Sequence, residues 1–396
     1  MGSTISSTLA TLPPLEVFIL PTPEAYVTLL NIFQYFPLFT VAQWLTSWHP
    51  AGKTSKNSPL NLPGRLAWFA MEIVGPINLV YILYNLPARL NIQTLPVPNK
   101  LVASLYVLHY ANRAVISPFF AAPSMSPIHF FIVASAMAFN WFNSTCLACW
   151  LVGYNIDTIP GYYPSSSASI TTPETALEDS LARTAGTSLI LPATGLVLFL
   201  LGMAGNIHAE RTLFRLRREQ ADSKQSQKSK QDPATTTPSC PTSRAPSGDN
   251  KNKNKYDKIY VIPPQTGLFT SILYPHYVAE WIEWTGFAVV GTTVFPALSP
   301  PSLGLIPDVL STSTSTTGAA TAGGPVVHLA PWLVPAVWVA GKLRVPVLPL
   351  PAIVFVVNAV SNMLPHARWG RKWYVEKFGE EKVGGRGAAV PFVSWL

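Results

Sequence analysis

Long apolar windows alternate with polar breaks along the 396 residues: Tyr26–Ser47, Leu66–Leu86, Leu101–Pro123, Ile128–Tyr154, Gly186–Ile207, Ile272–Ser299 and Pro346–Leu364. Each is about as long as the roughly 20 residues an α-helix needs to cross a bilayer. The pattern predicts an all-α, polytopic membrane protein with seven transmembrane helices around an intramembrane cavity. Two polar stretches interrupt it. Residues 219–255 are rich in Lys, Ser, Pro and Asn and lack an apolar face, which predicts a disordered linker. Residues 300–325 are a Ser/Thr/Gly/Ala tract, followed by the short apolar run "VVHLAPWLVPAVWVAG", read as interfacial or re-entrant. The expected units are 1–218 with five helices, the linker 219–255, and 256–396 with two helices, an insertion at 300–345 and a tail.

Charge orients these spans. Residues 1–52 contain no Lys or Arg, whereas the segment 206–260 and the tail after Pro365 are basic, so the N-terminus is expected in the lumen and the tail in the cytosol. The first apolar window follows no basic n-region and is expected to stay as an anchor. Charged residues make up only 12% of the chain, which fits a membrane protein, and no basic folded face with a nucleic-acid-binding motif occurs. Anionic lipid headgroups or an anionic cofactor are the expected partners of the basic segments. Cys146 and Cys149 form a lone CxxC, read as small apolar packing residues, and Cys240 falls in the linker.

Ionisable groups inside apolar windows are costly, roughly 2.5–3.5 kcal/mol each at mid-bilayer, and so point to a polar cavity. Glu72 is the only charge in "LAWFAMEIVGPINLVYILYNL" and must either neutralise or find a donor. Tyr110 and Arg113 lie at i and i+3 in the third window, and Asn143 lies in the fourth. His276, Glu280 and Glu283 share one helical face; the plainer reading is a hydrogen-bond cluster that only fixes packing. No second carboxylate-plus-His helix accompanies them, so no metal is expected. At the fifth exit, "GNIHAERTLFRLRRE" brings Asn206 and Glu210 near Arg211, Arg215, Arg217 and Arg218, a topology anchor or a phosphate grip. The tail adds Arg371, Lys372 and Arg386 with Trp373 and Tyr374. Neither GxGxxG after a strand nor a Walker A loop occurs.

The segments "LPGRLAWFAMEIVGP", "LYVLHYANRAV", "GMAGNIHAERTLFRLR", "YVIPPQTGLFTSILYPHYVAEWIEW" and "KWYVEKFGEEKVGGRGAAVPF" resemble, in order and spacing, the membrane steroid 5α-reductase family. The resemblance covers most of residues 60–396 outside the two insertions. It implies a seven-helix reductase of the endoplasmic reticulum that uses NADPH to saturate the C=C bond of an enone or enal. Glu72 and Tyr110 match the pair that hydrogen-bonds the substrate carbonyl. Arg113, Asn143, Asn206, Glu210, Arg217, Tyr260, His276, Glu280, Tyr374 and Arg386 fall at positions matching the NADPH cavity. His276 replaces an Asn of the steroid-reducing members, Glu210 an Asp, and Arg371 a common His. The expected substrate is a Δ4-3-oxosteroid, with a polyprenal or an enoyl thioester as rivals. A membrane methyltransferase of the isoprenylcysteine type and a non-catalytic lipid-binding homologue stay open as other classes.

Overall fold

Each apolar window must satisfy its own backbone hydrogen bonds in hydrocarbon, and a helix is the single-segment conformation that does so. The computed structural model describes residues 15–47, 50–55, 57–154, 189–231, 254–257, 259–294, 327–343, 348–391 and 393. Among them run α1 (Pro23–Phe33), α2 (Phe36–Leu45), α3 (Gly64–Arg89), α4 (Val97–Tyr110), a π-helical run (Ala111–Ala121) and α5 (Phe130–Val152). These are followed by α6 (Ile190–Gln231), α7 (Pro275–Val290), α8 (Val334–Leu343), α9 (Leu350–Phe378) and α10 (Glu380–Val383). The described residues include five stretches long and apolar enough to cross a membrane: Pro23–Leu45, Gly64–Arg89, Phe130–Val152, Ile190–Gln227 and Leu350–Phe378. The third window is built from α4 and the π run end to end, and the sixth holds α7, whose 16 residues stop short of a full crossing. Large apolar side chains such as Ile77, Tyr84, Phe120 and Leu201 stand exposed on the outer faces, a surface suited to lipid.

Two glycines set the tightest helix pairing. A Cβ at Gly202 of α6 would lie 2.6 Å from the Ala279 carbonyl of α7, and one at Gly286 of α7 would lie 2.6 Å from the Gly195 carbonyl of α6. Such small residues let backbones approach where apolar side chains alone give no preference between helix and lipid. A two-residue antiparallel clasp, Asn61 opposite His129 and Leu62 opposite Ile128, ties the start of α3 to the start of α5.

The first part of the expected linker is helical. Helix α6 continues through 219–231, where Ala221 is buried and Arg215 pairs with Glu219 at 3.7 Å, one turn along the helix. No Gly or Pro interrupts this stretch until Pro233; residues 232–253, with Cys240, lie outside the described residues, as do residues 155–185 and the tract 300–325. The run after that tract folds in part as α8, ten residues, or about 15 Å at 1.5 Å per residue. A strap before it crosses α1: Gln34 donates to the His328 carbonyl at 3.1 Å and accepts from Ala330 N–H at 3.0 Å.

Candidate functional site

Arg113 organises the interior. Pro118 has no N–H to give the Arg113 carbonyl in the i→i−5 register of the π run, and the Trp68 indole of α3 donates to that carbonyl instead at 3.0 Å. The Trp68 ring also lies 4.7 Å beneath the guanidinium. Held this way, Arg113 donates from Nε to Glu72 Oε1 at 3.4 Å and from Nη1 to Glu210 Oε1 at 3.3 Å, with Glu280 Oε2 at 3.7 Å. Carboxyl groups from α3, α6 and α7 thus share one guanidinium, and no side chain among the four is more than 17% exposed. Asn206 donates to Glu280 Oε2 at 3.2 Å, and Ser117 to Glu210 Oε2 at 3.0 Å.

Glu72 therefore finds donors rather than standing alone. Asn140 of α5 supplies the other: its Nδ2 donates to the Met71 carbonyl at 2.6 Å and to Glu72 Oε2 at 3.4 Å, while its Oδ1 accepts from the Tyr110 hydroxyl at 2.8 Å. Asn143, one turn on, donates to the Tyr106 hydroxyl at 3.4 Å, and the Tyr106 and Tyr110 rings lie 4.6 Å apart. Of the residues singled out in the sequence, Glu72, Tyr110, Arg113, Asn143, Asn206, Glu210 and Glu280 meet in this buried centre. His276 does not join its two helix mates by a hydrogen bond. Glu283 instead meets His109 Nδ1 of α4 at 2.8 Å, and Glu280 Oε1 lies 4.0 Å from Nε2 of the same ring.

A second group forms at the other end of α7. Lys53, from the loop before α3, hydrogen-bonds the Tyr274 hydroxyl and sits 4.0 Å over the Tyr374 ring, 4.7 Å over Tyr274 and 5.3 Å over Trp373. Burial pulls its ammonium down to about 7. His276 lies 5.6 Å from Tyr274, ring to ring, and its Nδ1 is buried with no partner among the described residues.

Arg217 and Arg386 stand in neither group, and Tyr260 borders the second. Arg217 donates to the Ile259 carbonyl at 3.1 Å and to Ser124 Oγ at 2.7 Å; Arg386 donates to the carbonyls of Val383 and Pro263, both at 2.8 Å. Both guanidinium groups hold loops in place. Tyr260 packs edge-on against Trp373 at 5.1 Å. Among the described residues, no three His, Cys, Asp or Glu side chains are arranged to hold a metal ion.

No family model matches the chain. An uncharacterized protein of Schizosaccharomyces pombe is 29% identical over 275 residues, which is 66% of this chain and 79% of that protein. The steroid 5-alpha-reductase DET2 of Arabidopsis thaliana is 25% identical over 378 residues, 93% of this chain and 95% of its own. The 3-oxo-5-alpha-steroid 4-dehydrogenase 1 of Rattus norvegicus is 23% identical over 347 residues, 87% and 86% of the two chains. At low identity over most of their length, these relatives support a divergent member of the steroid 5α-reductase family.

Proposed function

We propose that this protein reduces the C=C bond of an α,β-unsaturated carbonyl lipid, a Δ4-3-oxosteroid first among them, with NADPH as reductant. The observation that carries the reading is the joining of the Tyr110 hydroxyl and the Glu72 carboxyl through Asn140 inside an apolar helix bundle. An enone accepts hydride at its β-carbon only as negative charge on its carbonyl oxygen is stabilised, and fixed donors in a water-poor site do this best. Tyr110 is one such donor, and Glu72 in its protonated form is a second. The α-carbon then takes up a proton.

The residues present fit the cofactor. Asn143 Oδ1 and Asn206 Oδ1 are buried atoms of the central cluster with no partner among the described residues, suited to the carboxamide of a nicotinamide, and His276 Nδ1, equally unpartnered, lies in the second group beside Tyr274. Lys53 in its aromatic surround suits a phosphate and a flat base. The family resemblance adds Arg113, Glu210, Arg217, Tyr260, Glu280, Tyr374 and Arg386 to this side. NADPH, when bound, supplies the hydride; the chain orients it and excludes water.

This reading includes seven spans, with α4 plus the π run and α7 plus the residues after it as the two beyond the five. It places the protein in the endoplasmic reticulum membrane, N-terminus lumenal and C-terminus cytosolic, with 1–218 mainly on the substrate side and 256–396 mainly on the cofactor side. Its test is nicotinamide oxidation by purified protein in detergent with 3-oxosteroids, polyprenals and enoyl thioesters offered separately. Glu72→Gln and Tyr110→Phe should each slow turnover about 100- to 1,000-fold while NADPH binding persists. Wild-type rates in both variants would remove these residues from the reaction.

A further inference from the structure

In the sequence Asn140 is one more polar break in an apolar helix, yet it touches both side chains assigned to the substrate carbonyl. Resting on the reductase reading above, we propose that Asn140 is a positioning residue. It aims the Tyr110 hydroxyl and the Glu72 carboxyl at one point, and the substrate carbonyl replaces the Asn140 oxygen as acceptor of the Tyr110 proton.

The direction of every bond in the assembly follows from one contact. The Met71 carbonyl can only accept, so the amide nitrogen of Asn140, 2.6 Å away, must face it. The amide oxygen then faces Tyr110, whose hydroxyl is left to donate at 2.8 Å, and the same nitrogen reaches Glu72 Oε2. Asn140 is 4% exposed and Tyr110 4%, so water does not compete for these bonds. Tyr106 backs the tyrosine: a Cβ at Gly75 of α3 would lie 2.7 Å from the Tyr106 hydroxyl, so the glycine lets Tyr106 close in, and the Tyr106 ring packs 4.6 Å from that of Tyr110. Tyr110 therefore has a packed ring on one side and the amide on the other. Exchanging an amide oxygen for an enone oxygen swaps one carbonyl acceptor for another. The O–H needs only a small turn, which is the low reorganisation that favours charge stabilisation in a dry site.

The test compares wild type, Asn140→Leu, Asn140→Asp, Tyr110→Phe and the double variant Asn140→Leu/Tyr110→Phe, with a 3-oxo-Δ4-steroid and NADPH in detergent. Asn140→Leu should lower kcat about 10- to 100-fold and leave the NADPH affinity, read by nicotinamide fluorescence, within about twofold of wild type. Because Asn140 acts through Tyr110 and Glu72, the double variant should lose clearly less than the product of the two single losses; losses that multiply in full would mean an independent structural role and overturn the proposal. Asn140→Asp keeps an acceptor for Tyr110 but brings a second carboxyl beside Glu72, so its kcat should recover as pH falls, displaced relative to wild type. Should Asn140→Leu fail to fold, that displaced profile decides, and an unshifted one counts against the assignment. An active wild type with an unaffected Asn140→Leu overturns this inference alone. A wild type that oxidises no NADPH with any of the carbonyl lipids overturns the reductase reading and this inference with it.

Discussion

The two ends of α7 treat buried charge in opposite ways. Around Glu280 and Glu283 each ionisable group faces another: Arg113 meets three carboxyl groups, and His109 meets Glu283. Around Tyr274 and His276 the cation Lys53 faces aromatic rings and a hydroxyl, and no carboxylate pairs with it among the described residues. In the first arrangement every ionisable group has an ionisable neighbour, and one guanidinium balances three carboxyl groups only where two of them carry protons. The second leaves a positive group incompletely satisfied, which destabilises the folded chain and prepares it for an anion.

The sharpest way to break this comparison is at Arg113. Arg113→Leu leaves Glu72, Glu210 and Glu280 without their shared cation, and breaking a buried pair from one side costs about 3–5 kcal/mol. Thermal unfolding in detergent should fall by many degrees, and Arg113→Lys should recover only part of it, because a point charge cannot reach three carboxyl groups through a planar fork. A Leu variant that melts with wild type would mean the three contacts contribute nothing to the fold.

Lys53 should give a smaller effect of a different kind. Its folded value of about 7 lies below its ordinary value near 10.5, so between these the unfolded chain binds more protons than the folded one. Stability from this group is present above the unfolded value and is lost as pH falls through about 7. Unfolding scans should show wild type gaining stability from pH 7 upwards, and Lys53→Met should flatten that gain. An anion bound at this end returns the proton. NADPH binding measured calorimetrically near pH 8 should therefore take up to one proton in wild type and less in Lys53→Met. A binding heat independent of the buffer's ionisation enthalpy would refute this role.

Charges were legible in the sequence where they stood against an apolar background: Glu72, Arg113 and Glu280 announce themselves inside windows that otherwise lack charge. Asn140 did not, because an uncharged amide is tolerated in a helix for many reasons; the signal was its spacing one turn before Asn143 in "FNWFN". His109 was overlooked beside Tyr110, since its partner Glu283 is 174 residues away in sequence. Lys53 lies in a loop with no periodicity to place it. Arg217 and Arg386 resemble a phosphate grip in sequence. Their donors go to loop carbonyls whose positions only tertiary structure reveals. The exchange of α for π geometry after Tyr110 was equally hidden, although Pro118 is its visible local cause.

The smallest effect is expected where neither kind of charge handling operates, on the segment between α6 and Lys255. Residues 222–227 of α6 are exposed, and Lys255 meets Asp222 at 2.9 Å. That contact brings the two ends of the segment together. Joining Asp222 directly to Lys253 would leave three peptide links to reach Lys255, a span of up to about 10 Å, of the same order as the reach of the two side chains that already meet. The composition of 232–253, rich in Thr, Ser, Pro, Lys and Asn, provides no apolar surface for the site to lose. Excision of 223–252 should therefore leave enone reduction within about threefold of wild type. Complete loss of turnover in a variant that still binds NADPH would show instead that this segment takes part in the reaction cycle, and the exposed pair would have to be read as an anchor for it rather than as the neck of a spacer.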